Sequence, residues 1–441
     1  MCKGNSRNFS NADINMSDLE IKDTEISSGA LAALKTFLDE TFGQHKYNYN
    51  IDLATKKGDN YMGVVYRITV SVHSDAISDN KNDLKLIMKV PPQNPQRRQQ
   101  FFAGPGFQRE ILAYRIFLPL VHDFQKSKCI KPNEMFIEYP RFYFSLREEF
   151  HEAICMSDIQ EEGFYMHDRF KPLTREHVAL TMRIYGKLHA TSLAIKDQSP
   201  EKIQDLKCIV DIFEQRKDDP QLNDYFESLK KTALDCFDRE RESFYWEKLN
   251  AYFSRGSFYN LMLMLLEPRS SEPLSVICHG DCWINNIMYK TENAGIADAR
   301  LLDWQIMRYA SPIIDLMYFL MSSTTKEFRA QYFYEMLDIY HESACEHLKR
   351  LGSKPENIFS KKAFQKEFKA KGAIGLLLAM IVLPILTTKG EDVPDLEILS
   401  EKVTLGHSTD AMEAGFIGAK SDIFHARMKG VVCDTIDWGL I

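Results

Sequence analysis

The spacing of apolar residues changes about one third of the way along the chain, and this change limits the possible folds most strongly. From about 47 to 158, short runs rich in β-branched and aromatic residues alternate with turn-forming residues, which predicts about five strands. The stretch FQREILAYRIFLPLV predicts one helix among them, and from Thr174 onward the spacing is mainly helical. The sequence therefore predicts an α+β fold with two lobes. The N-lobe, over 18–155, holds an antiparallel five-stranded sheet and a helix, the C-lobe, over 156–441, is mainly helical, and the tail over 1–17 is disordered.

The net charge argues against some classes of partner, and the cysteine content indicates the redox state of the compartment. The 441-residue chain has a net charge of −7, which argues against a nucleic-acid or anionic-membrane partner, since either needs a basic face. The nine cysteines are odd in number and irregularly spaced, and the first residues contain no apolar signal core. We therefore expect a reduced, cytoplasmic protein. The apolar stretch 372–386 is shorter than the roughly 20 residues of a membrane span, so it predicts a buried helix ending near Pro384.

The most unusual stretch is ICHGDCWINNIMYK, residues 277–290, which lies in a short return to strands over 273–305. An apolar strand runs into Asp281, a loop leads to Asn286, and a later strand in LLDWQ delivers Asp303. These three side chains are expected at one edge of a small sheet. They offer the hard oxygen ligands that Mg²⁺ selects. A carboxylate next to a metal-bound triphosphate would also orient an attacking hydroxyl or accept its proton.

A second group of residues predicts a nucleotide site in the N-lobe. Lys89 stands in the apolar third strand, LIMKV, where an unpaired charge is costly. Glu110, on the following helix, is its expected partner, and protein kinases hold the α- and β-phosphates with such a pair. The loop KKGDNYMG between the first two strands contains Gly58, Asn60 and Gly63, where backbone amides can approach phosphates.

Other kinds of site fit the same residues less well. Cys278, His279 and Cys282 lack the second Cys/His pair that a structural zinc needs. Cys278 and His279 are adjacent on a strand, so their side chains point to opposite faces and do not form a nucleophilic pair. The turn at 104–106 lacks the third Gly of a dinucleotide-binding loop, and the chain contains no P-loop motif.

Together, HGDCWINNIMYK and LLDWQ resemble the motifs of the ecdysteroid kinase-like family, the CHK-domain kinases, over roughly residues 40–430. The family is related to choline and aminoglycoside phosphotransferases, so the resemblance implies a protein-kinase-like fold that uses ATP and Mg²⁺. It implies roles for two loops, a catalytic loop over 279–286 and a metal-binding loop over 303–305. Asp281 would be the base, Asn286 a Mg²⁺ ligand and Asp303 the main Mg²⁺ ligand.

The resemblance also implies roles for residues around these loops. Lys89 and Glu110 would form the ion pair, Met156 and Asp158 would lie in the hinge that meets adenine, and Asp315 would brace the catalytic loop. His279 is expected to hold the same loop through backbone hydrogen bonds. The chain departs from the family pattern at two positions. Trp304 replaces a Phe, and Gly63 stands where relatives usually carry Ser, which removes a hydroxyl contact to phosphate.

These features predict a kinase that phosphorylates a hydroxyl group of a small molecule. The HGD motif and the lack of an APE-like element disfavour a protein substrate, and no obligate protein partner is implied. Aromatic residues over 200–270 either line an apolar pocket for a steroid-like alcohol or belong to the ordinary core. They are Phe213, Tyr225, Phe226, Phe237, Phe244, Tyr245, Trp246, Tyr252 and Phe253. The alternative function is a non-catalytic nucleotide- or small-molecule-binding protein on the same fold.

Overall fold

A computed structural model describes residues 26–55, 63–73, 84–293, 295–389 and 421–441. The predicted disordered tail over 1–17 lies outside the described residues, as do Gly58 and Asn60. The described chain forms an α+β structure, with a five-stranded sheet in the N-lobe and a mainly helical C-lobe.

The N-lobe sheet is antiparallel throughout and has the strand order β1-β2-β3-β5-β4. Its strands are β1 Tyr47–Leu53, β2 Val64–Val72, β3 Leu84–Val90, β4 Phe142–Leu146 and β5 Ala153–Ser157. The β-branched and aromatic residues of FIEYPRFYFSL, residues 136–146, predict a strand over the whole stretch, but the fourth strand begins only at Phe142. Pro140 precedes this start, and proline cannot donate a hydrogen bond to a neighbouring strand. β5 extends past the predicted lobe boundary at 155.

The described residues of the N-lobe form the α-helices α1 Ser28–Phe42, α2 Pro95–Gln100, α3 Ala103–Leu112 and α4 Leu118–Ser127. A π-helical turn over Ala113–Phe117 connects α3 to α4. α1 covers one face of the sheet, where Ala30, Leu34 and Leu38 join an apolar cluster with alternate side chains of the strands. Because side chains alternate along a strand, the other residues of β3 face the cleft between the lobes.

The C-lobe helices before the strand-rich segment are α5 Arg175–Gln198, α6 Gln204–Lys207, α7 Ile212–Gln215, α8 Pro220–Leu234, α9 Ser243–Phe253 and α10 Phe258–Leu266. Those after it are α11 Ile313–Ser323, α12 Lys326–Arg350, α13 Pro355–Ile358, α14 Lys361–Lys371, α15 Ile374–Thr387 and α16 Asp422–Asp437. α5 begins directly after Thr174, its N-cap residue, where the helical spacing of the sequence begins. The long helices α5 and α12 pack along each other, with Gly186 directly against Ser343.

Two small sheets in the C-lobe support the predicted catalytic loops. β6 Phe164–Met166, β8 Ile287–Glu292 and β9 Gly295–Leu301 form one sheet, and β7 Val276–Cys278 pairs with β10 Arg308–Ala310 in the other. The loop over 279–286 therefore joins β7 to β8, and the loop over 303–305 joins β9 to β10. Each loop begins and ends on paired strands, which fixes the positions of both.

The apolar stretch 372–386 forms the buried helix that its composition predicts, since nearly every side chain of α15 is buried. The prediction that the helix ends near Pro384 is wrong, because it continues to Thr387. The hydroxyl of Thr388 donates to the carbonyl of Pro384 at 2.7 Å, which satisfies an acceptor close to the helix end. Among the described residues no single helix is long and apolar enough to cross a membrane. The helices over Pro355–Lys371 and Ile374–Thr387 pass that test only as a pair bent by 56°.

Candidate active site

Lys89 is held between two carboxylates at the centre of the cleft. It lies on the cleft face of β3, and its ammonium nitrogen lies 2.7 Å from Glu110 on α3 and 2.7 Å from Asp303. The amide oxygen of Gln305 lies 3.5 Å from the same nitrogen. Burial alone would lower the pKa of Lys89, but the charges of Asp303 and Glu110 outweigh it and raise the pKa. Lys89 is therefore a protonated cation, and the predicted ion pair with Glu110 is present.

Asp303 reaches Lys89 from a backbone conformation that ordinary residues seldom adopt. Its φ is +66°, in the left-handed region, which is uncommon outside glycine and asparagine and clusters at functional sites. The preceding residue, Leu302, donates its backbone N–H to the carbonyl of Asn286 at 2.8 Å. The two predicted loops are thus linked directly, and the positions of Asp303 and Asn286 depend on each other.

Asp281 is buried and accepts two side-chain hydrogen bonds. The amide of Asn286 donates to Oδ2 at 2.9 Å, and the hydroxyl of Tyr318 donates to Oδ1 at 3.1 Å. The same Asn286 amide also donates to the backbone carbonyl of Asp281, at 3.0 Å. Burial, followed by the charge of Asp303, raises the pKa of Asp281 to about 7. This carboxyl group can hold or release a proton near neutral pH, as a general base requires.

Asp315 braces the start of the catalytic loop from the first turn of α11. It is fully buried, and its two oxygens accept the backbone N–H groups of His279 at 2.7 Å and Gly280 at 3.0 Å. The imidazole of His189 lies 3.1 Å from the same carboxylate and 3.0 Å from the hydroxyl of Tyr340. Although burial opposes ionisation, these partners lower the pKa of Asp315. The bracing role implied by the family resemblance is therefore visible as direct hydrogen bonds.

A cluster of His189, Cys278 and Asp315 brings possible metal ligands within 4.8 Å of one another. Both oxygens of Asp315 already accept hydrogen bonds from the protein. Burial raises the pKa of the Cys278 thiol well above its usual value, whereas a metal ligand would have to be a thiolate. These contacts identify the cluster as a hydrogen-bonded support of the catalytic loop.

His279 and Trp304 join the two loops through a ring contact. Their ring centroids lie 4.6 Å apart, and a ring nitrogen of His279 lies 2.8 Å from the carbonyl of Leu302. Trp304 is fully buried and also packs against Phe117 of the π-helical turn. The indole ring of Trp304, which is larger than the Phe of the family pattern, thus packs between the catalytic loop and the π-helical turn of the N-lobe.

Gly63, directly before β2, lies where neighbouring atoms leave no room for a side chain. A Cβ at this position would lie 2.9 Å from the carbonyl oxygen of Val90 and 3.2 Å from the ring of Phe107. These atoms explain why Gly stands where relatives usually carry Ser, since a side chain would have to displace backbone. Contact between phosphate and the backbone at Gly63, Gly58 or Asn60 stays a prediction.

The predicted hinge has contacts of its own. The carboxylate of Asp158 pairs with Arg67 at 2.5 Å, and its backbone N–H donates to the carbonyl of Lys85 at 3.1 Å. Met156 lies in β5, between β3 and β4, and its largely buried side chain packs into the core on the cleft face of the sheet. The backbone N–H of Asp158, which was expected to face adenine, therefore already donates a hydrogen bond within the protein. A role of Met156 and Asp158 in binding adenine stays a prediction.

Sequence reasoning missed Tyr318 and Gln305. Tyr318 lies three residues after Asp315 on α11, a spacing that places both side chains on one side of a helix. Because Asp315 was expected to brace the catalytic loop, this spacing would have indicated Tyr318. Gln305 follows Asp303 by two residues, but the sequence does not show that the loop turns its amide toward Lys89.

The two-lobed α+β fold, with Lys89, Glu110, Asp281, Asn286 and Asp303 in its cleft, agrees with the predicted protein-kinase-like fold. The model of the ecdysteroid kinase-like family matches residues 57–353. The chain belongs to the ecdysteroid kinase-like family. No curated protein sequence matches it.

Three solved structures of aminoglycoside phosphotransferases are among those that resemble the chain. The GDP complex of wild-type aminoglycoside 2'-phosphotransferase-IIIa shares 11% identity with a TM-score of 0.38, covering 90% of this chain and 98% of that one. A GDP complex of a point mutant of that enzyme shares 9% identity (TM-score 0.36, coverage 87% and 96%). A further structure with GDP and kanamycin shares 10% identity (TM-score 0.36, coverage 87% and 98%).

Proposed function

We propose that this protein is an ATP- and Mg²⁺-dependent phosphotransferase that phosphorylates a hydroxyl group of a small molecule. One observation carries the proposal: Lys89 is held by Glu110 and Asp303 while Asp281 is held by Asn286 in the adjoining loop. A cation for phosphate oxygens and a carboxylate for the acceptor hydroxyl thus belong to one connected site.

The oxygen-bearing groups of the two loops fit Mg²⁺. Asp303 retains some solvent exposure, with 15% of its side chain accessible. Asn286 uses its side-chain N–H to hold Asp281, and its amide oxygen accepts no hydrogen bond among the described residues. A carboxylate and an amide oxygen are ligands that Mg²⁺ accepts together with phosphates and water. Asp303 and Asn286 would hold the ion.

The protein residues then have separate tasks. Bound Mg²⁺–ATP supplies the γ-phosphoryl group and positive charge near it. Lys89 binds phosphate oxygens, and Glu110 keeps its ammonium group in place. Asp281 accepts the proton of the acceptor hydroxyl while the hydroxyl oxygen bonds to the γ-phosphorus and the bond to the bridging oxygen breaks. Asn286 and Tyr318 fix the orientation of the Asp281 carboxylate during this step.

The acceptor that we propose is an apolar alcohol such as an ecdysteroid, and the support is membership in the ecdysteroid kinase-like family. The aromatic residues over 200–270 add little to this argument. Phe226, Phe237, Tyr252 and Phe253 are buried in the main core, and Phe244 is 56% exposed. The other four, Phe213, Tyr225, Tyr245 and Trp246, are partly buried and pack against the same core.

The alternative is a binding protein that has the fold but no activity. The presence of Lys89, Glu110, Asp281, Asn286 and Asp303 in one connected site weighs against it. Loss of catalysis removes the requirement for both acidic groups, and here both are retained with their partners.

Label transfer from γ-labelled ATP tests the function. The wild-type protein is incubated with Mg²⁺ and a panel of alcohols that includes ecdysteroids and choline, and products are resolved by mass spectrometry. We expect label on at least one hydroxyl compound. ATP binding without transfer to any alcohol, or to compounds in an extract, would favour the binding protein.

The Asp303→Asn variant tests the metal assignment. We expect ATP to raise the melting temperature of the wild-type protein more with Mg²⁺ than without it, and we expect this Mg²⁺-dependent part to be lost in the variant. An unchanged Mg²⁺ effect would contradict the assignment of Asp303.

A further inference from the structure

A cavity of about 280 Å³ lies in the C-lobe beside the catalytic loop. Its walls come from the loop before α5, the ends of α11 and α15, and the starts of α12 and α16, and Ile284 of the catalytic loop forms part of one wall. We call it the basic pocket, after its cationic lining residues Arg169, Lys171, Lys326 and Arg427. Its volume lies near the lower limit for ligand sites, about 300 Å³, so it suits one end of a small molecule or a small ion.

Within the described residues, few carboxylates balance the charges around the basic pocket. Among the described residues Arg169, Lys326 and Arg427 have no carboxylate within ion-pair distance, and Lys171 pairs only with the exposed Asp168, at 3.4 Å. Glu327 is the one acid among the described lining residues, and it lies in the first turn of α12, where interactions with its own backbone N–H and with Thr325 lower its pKa. The lining therefore carries a surplus of positive charge.

Two arginines of the lining have buried N–H groups without acceptors. Arg427 donates from Nη2 to the carbonyl of Ser322, but its Nε has no partner within the described part of the chain. Arg169 donates from Nη2 to the carbonyl of Thr388 at 2.7 Å, and its Nη1 is likewise buried without a partner. A guanidinium group has five N–H donors, and leaving a buried one unsatisfied is unfavourable. Both arginines thus line the cavity with guanidinium groups whose hydrogen bonding the described residues leave incomplete.

The start of α12 adds to this positive potential. The helix has 25 residues, and both Thr325, which caps it, and Lys326, its first residue, line the cavity. The amino end of a long helix carries partial positive charge and free backbone N–H groups, and both favour an anion. The helix end and the two arginines are independent features of the same cavity.

We propose that the basic pocket binds an oxyanion group of a small molecule, such as a phosphate, sulfate or carboxylate. Bidentate recognition of such groups is a property of arginine. A polycationic ligand is disfavoured by the same charges. Arg427 stays cationic at neutral pH, since burial, assisted by the nearby charge of Arg329, lowers its pKa only to about 10.

The basic pocket is close to the reacting groups. α11 carries Tyr318, which contacts Asp281, and five residues later Ser323, which lines the cavity and accepts the backbone N–H of Ile284 at 3.1 Å. Five residues correspond to about 7.5 Å along a helix. The oxyanion is therefore either the anionic end of the acceptor itself or a free anion bound next to the catalytic loop.

Titration with inorganic phosphate tests the proposal without requiring turnover. Calorimetry is performed at saturating ADP and Mg²⁺, so that phosphate does not occupy the nucleotide site. We expect Arg427→Gln to weaken phosphate binding about tenfold or more, the loss of one charge-assisted contact, and Arg427→Lys to retain part of it. Arg241→Gln is the control, because the Arg241 side chain is 88% exposed and lies outside the lining.

Arg169→Gln provides a second variant that does not depend on α16. Both glutamine variants should keep the wild-type melting temperature and ADP affinity, since neither arginine has a carboxylate partner among the described residues that would be left unpaired. Equal phosphate affinity in the wild type, Arg427→Gln and Arg169→Gln would overturn the proposal, as would equal weakening in Arg241→Gln. The phosphate titration does not require transferase activity. A failure of the proposed function can therefore be distinguished from a failure of the basic pocket to bind phosphate.

Once an acceptor is known, kinetics distinguishes the two sources of the oxyanion. If the acceptor supplies it, phosphate competes with the acceptor, and Arg427→Gln raises KM for the acceptor but not for ATP. If a free anion supplies it, phosphate binds together with the acceptor, and KM for the acceptor is unchanged. Both results require the phosphate binding that the basic pocket predicts.

Discussion

The ammonium nitrogen of Lys89 lies 2.7 Å from Oδ1 of Asp303, although 214 residues separate the two in the chain. Because Glu110 lies equally close to that nitrogen, one cation joins the sheet, the helix α3 and the metal-binding loop. The cation proposed to bind phosphate oxygens and the predicted metal ligand are therefore in direct contact. The stability of the protein and its ability to bind nucleotide should depend on the same ion cluster.

Replacing Lys89 by Met should lower the free energy of unfolding by about 3–5 kcal/mol, because it leaves buried carboxylates without their cation. Lys85→Met is the matched control on the same strand, where the lysine pairs with exposed Glu161 at 2.8 Å. Its loss should cost less than about 1 kcal/mol. Urea unfolding of both variants measures the difference, and equal costs would contradict a central structural role for Lys89.

Tyr318→Phe should lower kcat about 10- to 100-fold while leaving KM for ATP unchanged. The hydroxyl of Tyr318 donates to Asp281 at 3.1 Å, and a hydrogen bond to a charged group contributes about 1.5–3 kcal/mol. This bond also lowers the pKa of Asp281, so its loss should move the acidic limb of the pH–rate profile to higher pH.

Tyr289→Phe is the control for Tyr318, because Tyr289 is also buried and its hydroxyl lies 2.9 Å from Thr181. That variant should leave the position of the acidic limb unchanged. An unshifted limb in Tyr318→Phe, or the same shift in both variants, would show that Tyr318 does not act on Asp281.

Gly280→Ala should be far more damaging than Gly352→Ala, although both glycines have similar positive φ angles of 89° and 86°. A Cβ at Gly280 would lie 2.0 Å from the carbonyl oxygen of Ile306, whereas a Cβ at Gly352 meets nothing within 4 Å. Gly352→Ala should cost about 1–2 kcal/mol, the backbone penalty alone. Gly280→Ala should cost several kcal/mol more or prevent folding, as measured by denaturation and soluble yield. Similar costs would mean that the two loops do not meet as described.

Stability should fall as the pH decreases from about 6.5 toward 3, in part because of His347. Burial, followed by the charges of Lys187 and Arg350, lowers the pKa of His347 from 6.5 to about 3. Between these values the unfolded chain binds a proton at this position and the folded protein does not, so lowering the pH favours unfolding. The contribution is at most about 1.4 kcal/mol per pH unit.

Urea unfolding across this range measures the effect in His347→Gln, which keeps a polar group near Gln125 and Thr191. The variant should show a shallower loss of stability with falling pH than the wild type. His425, on the exposed side of α16, provides the control substitution. Parallel curves for the wild type and His347→Gln would contradict the assignment.

The sequence was sufficient to predict the cluster of Lys89, Asp281, Asn286 and Asp303. Each of these polar side chains lies in or next to an apolar strand, where burial is unfavourable without a partner. Lys89 interrupts an apolar strand, Asp281 and Asp303 follow short apolar strands, and Asn286 directly precedes one, so local pattern alone indicates a site. The family resemblance supplied Asp315, whose two backbone acceptor contacts are not apparent from the pattern around SPIIDL.

Other features depend on contacts that the local pattern does not contain. The strands β6 and β10 have three residues each, too few to show a period, and they form because β8 and β7 lie beside them. The aromatic residues of 200–270 fit a pocket or a core equally well until neighbouring helices are in place. The basic pocket combines Arg169, Lys326 and Arg427, which only the tertiary fold brings together.

Single-turnover transfer by Asp281→Asn tests the central claim most directly. The wild type and the variant are mixed with γ-labelled ATP, Mg²⁺ and the acceptor identified in the alcohol panel, and ATP affinity is measured for both. We predict that the variant binds ATP as tightly as the wild type but transfers label at least about 100-fold more slowly, since general-base catalysis contributes about 10²–10⁴-fold. Equal transfer rates, with equal ATP affinity, would contradict the account of Asp281 as the residue that accepts the acceptor's proton.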